Sequence, residues 1–286
     1  MSVVVRPAEE GDIDAVVDLL FDNMSQKVPK ERWRRLLDYP WRPADADRGH
    51  VAVDDGRAVG FLGLVYAERP IGGRVERFCN ICAWYLLKNY RGQGIGQRIQ
   101  FGSVADPRMT YTIMTATLAT GRAFAGNGGF QVLDDARYLL RRRAGSRGDI
   151  ECIDDPDRIE ALLEPHDRKI LQDHRPYNMR HLLVRAGGDA CYIAMQVKRK
   201  GAGIDYHEVM YASDGRFLSQ FAPAIADTLL GSDSAVFAID RRFLPAAPGW
   251  ESETLRLPRW YRSPNVAPER IDHLYGEVAL LDLKLP

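Results

Sequence analysis

Apolar and polar positions in the first third of the chain follow two periods, and each period predicts a different kind of element. The apolar positions between Ile13 and Leu20 repeat at i, i+3, i+4 and i+7, the spacing of one helix face. Val3 to Arg6 is a short β-branched run that predicts a strand. Further strands are predicted over residues 50–53, 58–66 and 75–87. The turn sequence Asp54-Asp55-Gly56-Arg57 between the first two of these is typical of a hairpin, so we expect a mixed, mainly antiparallel sheet flanked by helices.

A glycine-rich segment, Arg91 to Gly96, separates the last of these strands from a helix predicted over residues 97–104. The elements predicted after it are a strand over 111–115, a short helix over 119–125, and a hairpin made of strands 130–133 and 137–141. Gly126 to Gly129 ends the short helix, because glycine readily adopts the left-handed conformation of a helix C-cap. Helices and strands in this order predict an α/β (α+β) domain over residues 1–145.

The second half of the chain begins with another helical pattern, from Ile159 to Ile170. The elements predicted after it are strands over 181–185, 191–198, 204–211 and 235–239, and a helix over 217–230. We expect irregular structure over 244–268 and a closing strand over 277–283. The arginine-rich stretch 141–148 is the expected linker, so a second α+β domain covers residues 149–286. Its order of elements echoes the first domain, and a degenerate copy of the same fold is one interpretation.

Composition narrows the class of protein. The chain has 286 residues, 45% of them apolar and 27% charged, with a formal net charge of zero. This balance is typical of globular domains and provides no global field that would attract nucleic acid or anionic lipid. The N-terminus does not resemble a signal peptide, and four cysteines do not form a disulfide scaffold in a chain of this length. We therefore expect a cytoplasmic protein that binds neither nucleic acid nor membrane.

The segment from Arg91 to Gly96 carries the clearest chemistry. Glycines allow backbone N–H groups to approach an anion, and the following helix N-terminus adds unpaired donors and partial positive charge. A P-loop would need a Lys-Ser/Thr pair that this segment lacks. A dinucleotide-binding fingerprint would need a third glycine where Gln97 stands. The pattern [RQ]-x-x-G-x-[GA] is matched in full by Arg91, Gly94 and Gly96.

That pattern resembles the acyl-CoA site of the GNAT superfamily of N-acetyltransferases. The resemblance extends to Val5-Arg6-Pro7 followed by Asp12-Ile13, which look like the first strand and helix of that family. Asn127 to Phe130 stands where the family carries Gly-Phe, and Arg137 to Leu139 resembles its closing strand. The resemblance covers residues 3–143 and implies a GNAT-type sheet whose strands open to accept acyl-CoA.

The resemblance implies a function and a site. The activity would be transfer of an acetyl or other acyl group from acetyl-CoA, or another CoA thioester, to a small-molecule or protein amine. The backbone from Gln93 to Gly96 would hold the pyrophosphate, the strand edge from Trp84 would pair with pantetheine, and the Leu86 N–H would stabilise the oxyanion. The implied cofactor-binding residues are Trp84, Tyr85, Leu86, Arg91, Gly92, Gln93, Gly94, Ile95 and Gly96.

The sequence departs from the family at the catalytic acid. The family's tyrosine lies five residues before the phenylalanine of Gly-Phe, and here that position is Ala125. Glu68 and Glu76, on or beside the central strands, are the candidate bases. A non-catalytic acyl-CoA-binding or assembly protein therefore stays as the alternative function. An acyltransferase directed at sugars, with Trp260 in the Trp- and Arg-rich tail holding the acceptor, is a third.

No metal site is predicted. Cys79 and Cys82 have C-x-x-C spacing without a second pair, and residues three apart on a strand face opposite sides. The second domain has no equivalent of the glycine-rich segment, because Ala212-Ser213-Asp214-Gly215-Arg216 follows its third strand. We expect it to wall the acceptor site or to form a subunit interface, which leaves a homodimer open.

Overall fold

Packing divides the chain into two units, each built from more than one segment. The computed structural model describes residues 3–143, 149–244 and 249–286. The first unit comprises Met1–Leu133, Arg259–Ala267 and Tyr275–Pro286, and the second comprises Asp134–Pro258 and Pro268–Leu274. The unit boundary falls inside a strand, whereas the sequence places the domain limits at 145 and 149, and those limits stay a prediction. Residues 144–148 of the expected linker lie outside the described residues.

The strands and helices are numbered in chain order. The strands are β1 (Val4–Pro7), β2 (His50–Asp54), β3 (Arg57–Ile71), β4 (Arg74–Leu86), β5 (Thr110–Ile113), β6 (Gln131–Leu140), β7 (Glu151–Ile153), β8 (Arg180–Ala186), β9 (Asp189–Lys200), β10 (Ile204–Ala212), β11 (Ala235–Asp240) and β12 (Glu251–Arg262). The helices are α1 (Ile13–Asn23), α2 (Lys30–Arg34), α3 (Ile95–Ser103), α4 (Leu118–Gly128), α5 (Pro156–Leu162), α6 (Pro165–His174), α7 (Gly215–Leu229) and α8 (Glu277–Leu281).

The first unit is built on a mixed sheet. Strands β1 to β4 pair in sequence order and antiparallel, while β4 and β5 pair parallel through Phe78 and Thr110. The end of β12 pairs antiparallel with β5, with Trp260 opposite Ile113. The core of this unit joins β-strand residues such as Leu64 to side chains of α3 and α4. The predicted class, a mixed and mainly antiparallel sheet flanked by helices, is confirmed.

The second unit also combines helices with a mainly antiparallel sheet. Its strands lie in the order β6, β11, β10, β9, β8, β7, and among the residues described here β10 and β11 are the parallel pair. Helix α7 buries Leu218, Ala222 and Ile225 at helical spacing in the core of this unit. Asp214 caps the helix, accepting hydrogen bonds from the backbone N–H groups of Arg216 (2.8 Å) and Phe217 (3.0 Å).

The predicted hairpin around Asp134 and Asp135 is wrong, because β6 runs unbroken through both residues. Aspartate favours turns when its carboxylate is solvated or bonds its own backbone. Here Asp134 is buried, and its carboxylate pairs with the guanidinium of Arg242. An aspartate whose carboxylate pairs with a cation far away in the sequence does not favour a turn.

The tail of the chain is more regular than predicted. Residues 251–262 form β12 rather than irregular structure. Residues 277–281 form α8 rather than the predicted strand. All five are buried, and a short apolar run has no periodicity that distinguishes a helix from a strand in the sequence. The single helix predicted from Ile159 is two helices, interrupted before Pro165, since a residue preceding proline disfavours helical backbone.

The interpretation of Trp260 as a stacking surface for an acceptor is also wrong. Its side chain is buried in the first-unit core. A Cβ added at Gly121 of α4 would overlap its indole ring, which shows how closely the helix approaches β12. Trp260 is therefore a packing residue.

Candidate functional site

Strand β4 contains a β-bulge beside the glycine-rich segment. Ala83 and Trp84 together stand opposite the single residue Leu62 of β3. Ala83 has a φ of +48°, a left-handed conformation that a residue with a Cβ seldom adopts. A bulge bends its strand and interrupts its hydrogen-bond ladder. Beyond Ala83, β4 pairs with β3 again through Tyr85 and Leu86, with the register shifted by one residue.

Strands β4 and β5 separate near the same point. Their paired residues are Phe78 to Asn80 on β4, and the last pair joins Asn80 to Thr112. The Asn80 side chain closes this end of the ladder by donating from Nδ2 to Thr112 Oγ1 over 3.2 Å. Past this pair, the part of β4 that carries Trp84 lines an open cleft of about 580 Å³. This volume lies within the range of small-molecule sites.

The cleft brings together most of the residues that the sequence analysis assigned to the cofactor. Its lining residues are Trp84, Tyr85, Leu86, Arg91, Gly92, Gly94, Gly96, Gln97 and Thr120. Two assigned residues do not line it: Ile95 is buried in the core, and Gln93 donates its side-chain amide to the Asn89 carbonyl (2.8 Å). Gln97 and Thr120 were missed. Gln97 follows the glycine pattern directly, whereas nothing in the local sequence points to Thr120.

The glycine-rich segment forms an exposed turn at the start of α3. Gly92 and Gly94 have φ values of +77° and +76°, which glycine adopts without strain. A Cβ at either position would meet no atom within 4 Å, so the space outside the turn is open. Gly94 is the N-cap of α3 and provides no side-chain acceptor. The first N–H groups of α3 can therefore donate hydrogen bonds to an anion, and the partial positive charge of the helix N-terminus attracts it.

Arg91 is held against the same turn. Its Nε donates to the Leu86 carbonyl over 2.9 Å, and its guanidinium carbon lies 5.5 Å from the centre of the Tyr85 ring. These contacts fix a positive charge on the wall of the cleft while leaving the residue exposed. The cleft thus combines a cation, a helix N-terminus and a strand edge.

A second, smaller cavity of about 110 Å³ lies on the other side of the bulge. It shares Trp84 and Thr120 with the cleft. Its remaining lining residues are Met24, Ile81, Cys82, Ala83, Ile113, Thr115, Ala116, Thr117 and Phe124. The Trp84 indole stands edge-on to the Phe124 ring, with centroids 5.5 Å apart, so both side chains are fixed by aromatic packing. The lining is mostly apolar, with three threonine hydroxyls.

The glutamates assigned as candidate bases lie elsewhere on the sheet. Glu68 on β3 is half exposed, with Oε1 3.9 Å from Arg77 Nε. Glu76 on β4 lines a separate surface cavity together with Arg74 and Arg108. Neither residue is among those that line the cleft or the smaller cavity. Their role as bases stays a prediction.

The position of the missing tyrosine is on α4. Ala125 is partly buried and packs against the core of the first unit. Of the two cysteines, Cys82 lines the smaller cavity and Cys79 belongs to the core. Burial raises the pKa of both thiols well above the ordinary value, so both are neutral at pH 7.

The second unit contains a buried group with metal-ligating atoms within reach of one another. Asp134, Asp240 and His273 have ligand atoms within 4.8 Å. The Arg242 guanidinium pairs with Asp134 and lies 3.3 Å from Asp240, while its Nε donates to the Ile271 carbonyl (2.9 Å). The Arg242 guanidinium therefore contacts both carboxylates, and the cluster is an ion-pair network within the fold. Within the described ranges, no helix is both long and apolar enough to span a membrane.

A match to a known protein family agrees with the sequence resemblance. Residues 13–99 match the family described as Acetyltransferase (GNAT) family. This segment includes α1, the bulged strand β4 and the glycine turn at the start of α3. None of the curated proteins matches this sequence.

Solved structures share the fold at low sequence identity. A GCN5-related N-acetyltransferase from Anabaena variabilis is similar with a TM-score of 0.59 and 14% identity, over 91% of this chain and 72% of that chain. A probable N-acyltransferase from Enterococcus faecalis has a TM-score of 0.59 and 14% identity, over 92% and 73%. Eis1 from Mycobacterium abscessus has a TM-score of 0.52 and 14% identity, over 92% and 73%. Identities this low establish the fold alone.

Proposed function

We propose, from the premise that residues 13–99 carry a GNAT-type acetyltransferase domain, that this protein transfers a short acyl group from acyl-CoA to an amine. The observation that carries the proposal is one cleft lined by both the glycine turn and the bulged strand edge of β4. An anion site and a free backbone edge in one cleft suit a ligand with phosphates at one end and an amide-containing arm at the other.

The pyrophosphate of CoA would lie on the glycine turn. The backbone N–H groups from Gln93 to Gly96 surround the N-terminus of α3, where no side chain competes for them. Arg91 adds a formal charge that its contacts with Leu86 and Tyr85 hold in place. Because these groups recognise phosphates only, they would accept any CoA thioester.

The pantetheine arm would run along β4 and direct the thioester towards the bulge. Its amides would pair with the backbone near Trp84 and Leu86, as an added strand pairs with a sheet edge. A backbone N–H here, that of Leu86 in the sequence prediction, would stabilise the oxyanion of the tetrahedral intermediate. The acyl group would enter the 110 Å³ cavity beyond Trp84, whose size favours acetyl or another short chain.

The leaving thiolate does not require the missing tyrosine. A thiol with a pKa of roughly 8.5 can depart as thiolate with little protonation at neutral pH. Ala125 is therefore compatible with turnover at a reduced rate. The structures of similar fold include proteins named N-acetyltransferase and probable N-acyltransferase, which supports an amine as the acceptor.

Calorimetric titration of acetyl-CoA tests the binding mode. We expect wild-type protein to bind, and Gly94→Trp not to bind because its side chain fills the space outside the turn. Gly56→Trp is the matched control, since Gly56 also has a φ of +76° and open surroundings but lies in the β2–β3 turn. Equal affinity in all three proteins would place CoA elsewhere, and no binding by wild type would remove the proposal.

A non-catalytic acyl-CoA-binding protein is the second candidate, because Ala125 leaves the usual acid absent. The two candidates differ in thiol release. Mixing acetyl-CoA with a panel of amines and measuring free thiol would show a rate above uncatalysed aminolysis only for a transferase. Tight binding with no rate increase across the panel would favour the second candidate.

A further inference from the structure

A buried carboxylate lies directly behind the smaller cavity. Glu277, the first residue of α8, belongs to the first unit and is only 1% exposed. Its Oε1 accepts a hydrogen bond from Thr115 Oγ1 over 2.9 Å. Thr115 in turn lines the cavity. Thr115 therefore contacts both the cavity that it lines and this carboxylate.

The surrounding backbone fixes Glu277 where β4 and β5 separate. Its N–H donates to Asn80 Oδ1 over 2.9 Å, and the same Asn80 side chain donates to Thr112. A Cβ at Gly276 would lie 2.8 Å from Asn80 Oδ1, so this approach requires glycine. The carboxylate is thus attached to the end of the β4–β5 ladder.

The second oxygen of this carboxylate has no partner. Among the described residues, Glu277 Oε2 is fully buried and makes no hydrogen bond. Burying a polar atom without a partner is unfavourable, so such an atom in a native fold calls for an explanation. This oxygen is therefore available to hold a proton.

The environment of Glu277 suits proton transfer near neutral pH. Burial raises its pKa from 4.5 to about 7, and the hydrogen bond from the Thr115 hydroxyl opposes this rise. The facing titratable group on β4 is the Cys82 thiol, which is neutral. Two charged groups contact the same C-terminal segment: Arg69 packs over the Tyr275 ring at 5.5 Å, and Arg32 pairs with Asp282 over 3.3 Å. A general base is most effective when its pKa is close to the operating pH.

We infer that Glu277 is the final proton acceptor of acyl transfer and that Thr115 relays the proton to it. The amine nitrogen bonds to the thioester carbonyl carbon, and its proton passes to Thr115 Oγ1 while the Thr115 proton passes to Glu277 Oε1. The C–S bond then breaks and CoA leaves as thiolate, and the Glu277 proton is later released to solvent. This inference rests on the proposed function, and Glu277 acts in it through Thr115.

The pH dependence of kcat/KM tests the inference. Acetyl-CoA and methoxyamine are suitable probes, because methoxyamine is a weak base that is already deprotonated well below pH 7. Wild type should show a rate that rises with pH through about 7. Glu277→Gln should lose this acid limb and be slower by on the order of 10²-fold at its upper plateau. Its acetyl-CoA Kd should be unchanged.

Two further variants keep the test decisive. Thr115→Val removes the hydroxyl with little change of volume and should be slowed to a similar extent, so it decides the matter if Glu277→Gln does not fold. Glu31→Gln, on the exposed surface of α2, is the control and should behave as wild type. An unaltered acid limb with a rate within about twofold of wild type in both test variants would overturn the relay. Wild-type protein that binds acetyl-CoA but releases no thiol would instead overturn acyl transfer itself.

Discussion

At the scale of residues, Glu277 links folding stability to pH. Its pKa is raised from 4.5 to about 7 by burial, so the folded state favours the protonated form. The resulting stabilisation is complete below pH 4.5 and is lost as pH rises through 7. The shift corresponds to about 3 kcal/mol of unfolding free energy.

Urea unfolding from pH 4.5 to 8 measures this effect. Other groups also titrate, so the informative quantity is the difference between Glu277→Gln and wild type. We expect Glu277→Gln to become more stable relative to wild type as pH rises, by about 3 kcal/mol over the range, because glutamine carries no charge to bury. A difference that is constant with pH would show that Glu277 titrates normally.

The two parts of the site differ in how far the sequence reveals them. The glycine turn is local, since Arg91 to Gly96 needs only its own φ angles and the helix that follows. The contact of Glu277 with Thr115 joins residues 162 positions apart. Glu277 also begins an apolar run, and a single acidic residue in that position is typical of the end of a strand. No pattern within the sequence pairs these two residues.

At the scale of elements, strands and helices with clear periods were predicted well, and those controlled by distant partners were not. The hairpin β2–β3 and the helix α1 follow from turn residues and periodicity. The unbroken β6 depends on Arg242, which is 108 residues from Asp134. The helix α8 is buried along its whole length, so its sequence lacks the polar face that identifies a helix.

The close approach of α4 to β12 predicts unequal effects of two alanine substitutions in one helix. Gly121→Ala should lower the unfolding free energy by about 1–3 kcal/mol, because its Cβ would overlap the Trp260 ring. Gly126→Ala, with no atom within 4 Å of its Cβ, should be neutral or stabilising by up to about 1 kcal/mol. Urea unfolding of both variants provides the comparison, and equal stability would contradict the packing described.

At the scale of the whole molecule, helix α3 of the first unit and helix α7 of the second differ at their N-termini. In the first unit, α3 begins at Gly94 without a side-chain cap. In the second, the Asp214 carboxylate already accepts from two N–H groups at the start of α7. An aspartate in this position repels a phosphate and occupies its donors. We therefore expect only the first unit to bind CoA.

The stoichiometry of acetyl-CoA binding checks this expectation. Calorimetry should give one site per chain, and the Gly94→Trp variant should have none. A second site that survives in Gly94→Trp would show that the second unit binds CoA despite its aspartate cap. The number of acetyl-CoA sites per chain does not depend on how many chains associate, so calorimetry alone is sufficient.

The segmented make-up of the first unit has a consequence for synthesis at the ribosome. Translation proceeds from the N-terminus, so the cleft and its glycine turn emerge early, whereas residues 275–286 emerge only after the second unit has been made. A nascent chain halted before Tyr275 would hold the phosphate turn but lack the buried carboxylate. If the proposed proton path operates, such a truncated product would bind acyl-CoA without consuming it.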